Sequence, residues 1–141
     1  MNSYVIDASV AVKWFIPDGD VEPYVDRALQ LLVTGQRDEA RFLQPPHWVG
    51  EVTAVLVRLA PKTVGSSVEA LMALSFVTTA HDVGHYQRAI ALALKLDHHL
   101  FDTLYHAVAL EEEATLITAD RKYYDKARRM GSILMLEEFG G

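Results

Sequence analysis

Short apolar runs alternate along this chain with longer segments of helical period, and few folds accommodate that alternation. The runs are YVID (4–7), RFLQPP (41–46), a partly extended FVTTAHDV (76–83), ATLITAD (114–120) and SILML (132–136). Between them, ASVAVKWFI (8–16) reads as a short helix stopped by Pro17 and Gly19. VEPYVDRALQLLV (21–33) carries its apolar residues near a helical period. HWVGEVTAVLVRLA (47–60) puts Trp48, Val52, Val55, Leu56 and Leu59 on one helix face. SSVEALMALSF (66–76), HYQRAIALALKL (85–96), FDTLYHAVALEEE (101–113) and RKYYDKARRM (121–130) are further helices. Near-continuous apolar strands spaced by helices predict an α/β fold, a mainly parallel sheet flanked by helices on both faces. At 141 residues the chain fits one domain, 1–141, with a sizeable core. Ligands of such sheets sit beyond the carboxyl ends of the strands.

Two acids stand at strand ends. Asp7 follows Val5 and Ile6, and Asp120 closes TLITAD in the same way. On a parallel sheet both would point into one crevice. Asp is a common helix cap, so the bland reading of Asp7 is that it caps the next helix. Burial of an unpaired charge, however, is expensive unless a partner or a metal meets it. Glu51 lies at the margin of the apolar stripe of its helix, with no Lys or Arg one turn away and only His47 as a neighbour. Asp102 lies at a helix start, where capping and the dipole alone would favour it.

Gathered in one crevice, Asp7, Glu51, Asp102 and Asp120 would repel one another. Two charges about 4 Å apart interact by about 4 kcal/mol at an effective dielectric of about 20. Divalent cations, or protonation of some of the acids, make such a cluster tolerable. Oxygen ligands in a chain with no cysteine favour Mg²⁺ or Mn²⁺ over zinc. Ions of that kind suit phosphoryl chemistry. The absence of cysteine also excludes disulfides. A net charge of −6 argues against broad electrostatic binding of nucleic acid, though a bound cation would change the local sign. No basic-then-apolar leader opens the sequence and no apolar run is long enough for a membrane span, so a cytoplasmic location is expected.

The pattern resembles the PIN-domain family and, within it, the VapC-type toxins of prokaryotic toxin–antitoxin pairs. VIDASVAVKWF is similar to the family's opening strand with its first acid, and EVTAVLVR to the helix carrying the second. FDTLYHAVAL resembles the D-x-x-Y-x-A-x-A segment, giving Asp102, Tyr105, Ala107 and Ala109; TLITAD resembles the T-x-D segment that ends in the last acid. The resemblance implies a Mg²⁺- or Mn²⁺-dependent ribonuclease, a homodimer inhibited by a cognate antitoxin. It implies that Asp7, Asp102 and Asp120 hold one ion directly or through water. Glu51 would hold a second ion or orient the attacking water, and the products would carry 5′-phosphate and 3′-hydroxyl ends. Ser9 and Thr118 match positions where the family has hydroxyls near the metal. Many relatives have Asn three residues after the helix acid, where this chain has Ala54.

Three other functions compete. One is a PIN-like module that holds an antitoxin with little catalysis, which Ala54 favours and the intact acids oppose. Another is a phosphohydrolase with Asp7 as nucleophile, but DAS lacks a second Asp two residues on. The third is a DNA-directed nuclease using the same chemistry.

The remaining polar residues have plainer readings. Of the six histidines, His98 and His99 are adjacent and would not share a face, so surface or capping roles are expected. His106, one turn from Asp102, is expected in solvent. Asp97 would cap the loop before Asp102, while Asp125 and Glu111–Glu113 would be solvated. Lys13, Arg121, Lys122, Arg128 and Arg129 flank the first and last acid motifs; they form either a basic rim for RNA or a solvated face. Trp14 and Phe15 read as core or a partner groove, and SSVEALMALSF as core or an interface.

Overall fold

A computed structural model describes residues 1–16 and 22–140. The strands are β1 (Asn2–Ile6), β2 (Ala40–Gln44), β3 (Val77–Thr79), β4 (Thr115–Thr118) and β5 (Ile133–Met135). They form one sheet in the order β3-β2-β1-β4-β5, and every neighbouring pair is parallel. The expected α/β architecture is present. The helices are α1 (Ala8–Ala11), α2 (Val25–Gln36), α3 (Trp48–Leu59), α4 (Val64–Met72), α5 (Val83–Leu96), α6 (Leu100–Glu111) and α7 (Arg121–Ala127). Each lies on a crossover between parallel strands, as parallel pairing requires.

Several helix boundaries differ from the periodicity. The first helix tightens after Ala11 into a 3₁₀ turn, Val12–Phe15; its expected stop at Pro17 and Gly19 lies outside the described residues. The second helix starts at Val25, after Tyr24 in a left-handed conformation, and runs on to Gln36. The fourth starts at Val64 and ends at Met72.

The core explains why the central strands are apolar throughout. Val5, Ile6, Leu116 and Ile117 are fully enclosed. Beneath the first crossover, Phe42 packs edge-on to Phe76 at 5.1 Å and stacks on Trp14 at 6.2 Å. Trp14 is therefore core, and its indole N–H donates to the Ala28 carbonyl at 2.8 Å. Each such enclosed side chain contributes about 1.5–3 kcal/mol. Helix α6 is buried continuously from Thr103 to Ala109 because it packs on β1, β2 and β4 and is covered in turn by α5. A helix enclosed on all sides loses its amphipathic stripe. Ala89 and Leu92 of α5 meet Leu104 and Ala107 of α6 in a second small core.

One polar core residue fixes the end of β1. The main-chain ladder between β1 and β2 stops at Tyr4↔Phe42. The buried Gln44 side chain carries it on: the Ile6 N–H donates to its Oε1 at 2.6 Å, and its Nε2 donates to the Ile6 carbonyl at 2.8 Å. Gln44→Met would leave both main-chain groups buried and unpaired. The expected loss is about 2–4 kcal/mol of stability with an unchanged urea m-value. A loss under about 0.5 kcal/mol would show that the amide does not hold the strand.

Candidate active site

Strand order reverses between β1 and β4. From β1 the chain winds outward through β2 and β3, then returns to β4 on the other side of β1. A crevice forms at the carboxyl edge of such a switch point. Asp7 leaves β1 there, its N–H donating to the Ile117 carbonyl at 3.0 Å, and Asp120 follows β4. Glu51 reaches the site from the first half of α3, and Asp102 from the first turn of α6.

Each acid is tethered through one oxygen. Asp7 Oδ2 accepts from the Ser9 N–H at 3.1 Å, the Ser9 hydroxyl at 2.5 Å and the Thr118 hydroxyl at 3.4 Å. Asp120 Oδ1 accepts from the Tyr123 N–H at 3.2 Å, capping α7. Glu51 Oε1 accepts from the Tyr105 hydroxyl at 2.6 Å. Asp102 Oδ2 accepts from His98 Nε2 at 2.9 Å. Among the described residues, Asp7 Oδ1, Asp120 Oδ2, Glu51 Oε2 and Asp102 Oδ1 have no protein partner. Carboxylates fixed by one oxygen and open at the other fit a hard cation such as Mg²⁺ or Mn²⁺.

Ser9 and Thr118 act on the scaffold of the site. The Ala119 N–H donates to Ser9 Oγ and the Asp120 N–H to Thr118 Oγ1, both at 3.0 Å. Two hydroxyls therefore join the end of β1 to the end of β4 while holding Asp7.

Asp7 is a helix cap, as its bland reading holds, and an unusual acid as well. Burial pushes its carboxyl up to about 7. The Ser9 hydrogen bonds oppose that rise, and the charges of Asp102 and Glu51 add to it. The same burial, with the charges of Asp7 and Glu51, drives the Tyr105 phenol far above its ordinary range, so it remains a donor to Glu51.

The expected cluster of four carboxylates is only partly realised. The tight group consists of His98, Asp102 and Asp120, with one donor atom from each within 4.8 Å of the others. Asp7 and Glu51 flank that group, and the charges of Asp102 and Glu51 act on Asp7.

Several polar readings are corrected here. His98 faces Asp102, because the turn into α6 folds it back over the first helical turn. His106 is fully enclosed beneath the site: its Nε2–H donates to the Gly131 carbonyl, and its Nδ1 accepts from the Tyr123 hydroxyl, both at 2.8 Å. Lys13 is buried, bound to Glu22 at 2.7 Å and to the Pro23 carbonyl at 2.8 Å, so it offers nothing to a substrate. Arg121 is engaged by Glu137 and by Asp125, while Arg128 lies over the Tyr124 ring. Lys122 is exposed and lines a cavity with Asp97, His98, His99 and Lys126, and His98 in turn adjoins Asp102. Asp97 ends α5 in a left-handed conformation, Asp125 is exposed as expected, and Ala54 is exposed on α3.

The buried His106 sets an acid limit. Burial lowers its affinity for a proton, and the Gly131 hydrogen bond only partly offsets this. Below about pH 6.5 the unfolded chain binds a proton that the folded chain resists, so stability falls as pH drops. His106→Gln is expected to flatten the urea-midpoint profile between about pH 6.5 and 4.5. An unchanged slope would assign the acid loss elsewhere.

A family model described as PIN domain matches residues 4–129. Comparison of the sequence with curated proteins gives no match. Among solved structures the chain is similar to a toxin–antitoxin complex from Klebsiella pneumoniae, at 16% identity and a TM-score of 0.68, covering 94% of this chain and 97% of that one. It is similar to Mycobacterium tuberculosis VapC20, described as a sarcin–ricin loop cleaving toxin, at 16% identity and 0.67, covering 86% and 93%. It is also similar to VapBC2 from Rickettsia felis, solved with a promoter DNA fragment, at 16% identity and 0.64, covering 94% and 96%. At these identities the structures speak for the fold. The family match runs from β1 through α7 and takes in all four acids, and on that ground the chain belongs to the PIN domain family.

Proposed function

We propose that this chain is a divalent-metal-dependent endoribonuclease of one PIN domain, 1–141, acting as a cytoplasmic VapC-type toxin. A cognate antitoxin would hold it inactive, and a homodimer would be its working form. The observation that carries the reading is the tethering of Asp7, Glu51, Asp102 and Asp120 by one oxygen each at the switch point of the sheet. The structural neighbours support the toxin class: one is a toxin–antitoxin complex and another a toxin that cleaves the sarcin–ricin loop. No described helix is long and apolar enough to cross a membrane.

Asp7, Asp102 and Asp120 would hold the ion through their free oxygens. Bound there, Mg²⁺ or Mn²⁺ would lower the pKa of a coordinated water and neutralise charge developing on the phosphate oxygens. Glu51, fixed by Tyr105, keeps one oxygen to accept a hydrogen bond from the attacking water and aim it in line at phosphorus. Ser9 and Thr118 hold Asp7 in place during turnover. Lys122, beside His98, would meet a backbone phosphate.

The test is cleavage of a pool of structured RNAs with Mg²⁺ or Mn²⁺, with EDTA as control and with the ends mapped. Products with 5′-phosphate and 3′-hydroxyl ends, formed only with the metal, are expected. Cleavage that persists in EDTA, or 2′,3′-cyclic phosphate ends, would overturn the reading.

A further inference from the structure

Phe101 is 57% exposed, more than any other aromatic residue among the described residues. A lone apolar residue in solvent is ordinary. Phe101 is set apart by how firmly it is held and by what stands next to it. It occupies the first turn of α6, immediately before Asp102. Its ring lies on the His47 ring, with centroids 5.0 Å apart and planes inclined by 30°. The His47 Nε2–H donates to the Phe101 carbonyl at 3.0 Å, and the His47 ring packs on Tyr105 at 4.7 Å.

Three rings thus run in series from the interior to the surface. Tyr105 is fully enclosed, the His47 side chain is 16% exposed and Phe101 opens to solvent. The inner two touch the candidate site. The Tyr105 hydroxyl donates to Glu51 Oε1, and His47 Nε2 lies 3.5 Å from the same oxygen. The series therefore stands against the carboxylates, between the helix that supplies Glu51 and the helix that supplies Asp102.

An RNA phosphodiester seated at those carboxylates brings its flanking bases to the same edge of the sheet. A nucleotide drawn into a crevice leaves its neighbours in the strand, and proteins cover the freed base with aromatic side chains. A ring already fixed in place does so with little loss of side-chain freedom on binding.

We propose that Phe101 is a stacking platform for an unpaired base of the RNA strand, at a nucleotide next to the phosphodiester that the carboxylates hold. The base would continue the series as its fourth ring. The platform favours single-stranded stretches, because a base inside a duplex has both faces covered already. It meets the face of the base and not its edge, so it positions the strand with little choice of sequence. The inference rests on the carboxylates being the site of RNA cleavage, as proposed above.

The experiment compares the full chain with Phe101→Leu and Phe101→Trp. Leu keeps an apolar side chain against His47 and removes the π face; Trp keeps the face. The probe is a fluorescein-labelled oligouridylate of about eight nucleotides, a site size usual for single-strand binders. Its abasic counterpart, with the same ribose phosphates and no bases, is the control. Anisotropy titrations use Ca²⁺, which also seeks oxygen ligands, in place of Mg²⁺. Phe101→Leu is expected to bind the oligouridylate about tenfold or more weakly than the wild type. Phe101→Trp should bind it at least as tightly as the wild type, and all three should bind the abasic strand alike. Equal binding of the oligouridylate by Phe101→Leu and the wild type would overturn the inference. So would a loss shared by both strands, or a change of oligomeric state on size-exclusion chromatography, which would place Phe101 in the scaffold or in a protein contact. So would a wild type that prefers the oligouridylate no more than the abasic strand. In each of these cases, metal-dependent cleavage of the RNA pool by the wild type leaves the nuclease reading standing. A wild type that neither cuts the pool nor binds the oligouridylate at millimolar concentration would overturn that reading, and the inference with it.

Discussion

Asp7→Asn is expected to stabilise the metal-free protein near pH 8 while reducing RNA cleavage at least about a thousandfold. The two effects share one cause. Burial lifts the Asp7 carboxyl to about 7, from 3.8 as an unperturbed group. Between those pH values the folded chain keeps a proton that the unfolded chain releases, so this residue makes stability fall as pH rises. Above about pH 7 the folded chain carries an ionised carboxylate in a poorly solvated place, and the penalty is at its largest. One pKa unit corresponds to about 1.4 kcal/mol. A neutral amide of the same shape still accepts the Ser9 and Thr118 hydrogen bonds, and about 2 kcal/mol of net gain is expected. Urea unfolding in EDTA at about pH 8 and pH 4.5 measures it. The gain should shrink towards zero at the lower pH. If Asp7 were only a helix cap, Asn would replace it with little change at either pH. Millimolar Mg²⁺ should raise the melting temperature of the wild type and not of the variant, because only the wild type gains ligand-binding free energy. His106 pulls stability the other way in acid, so the difference between variant and wild type is the quantity to follow.

Asp120→Asn is expected to lower divalent-ion affinity about a hundredfold or more and to abolish cleavage, with the fold retained. Asn caps a helix as well as Asp does, so the tether to the Tyr123 N–H survives and α7 stays in place. What is lost is the charge of one of the three groups whose donor atoms gather within 4.8 Å. Calorimetric titration with Mn²⁺ checks the first effect, and the RNA assay the second. Unchanged affinity would move the ion away from Asp102 and Asp120. Unchanged cleavage would move the chemistry away from the sheet edge altogether.

The residues differ in how openly the sequence shows their roles. Asp7 and Asp120 are readable because an acid following a run such as YVI or TLIT must stand at a strand end, and parallel strands share one edge. Glu51 and Asp102 follow once the helices are placed, since each sits in the first half of its helix. Gln44 was not readable. A polar residue closing a strand resembles an ordinary edge, and only the register with Ile6 shows its amide completing the ladder. The role of His98 is not legible from helical spacing: adjacent residues do not share a helix face, but His98 precedes the helix and folds back on it. The burial of His106 and Lys13 depends on what packs over them, Tyr123 of α7 and the Gly131 turn in one case and the Glu22–Pro23 segment in the other. Periodicity carries no such information, because it reports one face of one element.

The most direct test is anomalous scattering from crystals grown with Mn²⁺. The expected result is an ion bonded to the free oxygens of Asp102 and Asp120, with Asp7 directly or through water. A map with no peak there at saturating Mn²⁺, or a peak only elsewhere on the surface, would contradict a metal centre built from these carboxylates.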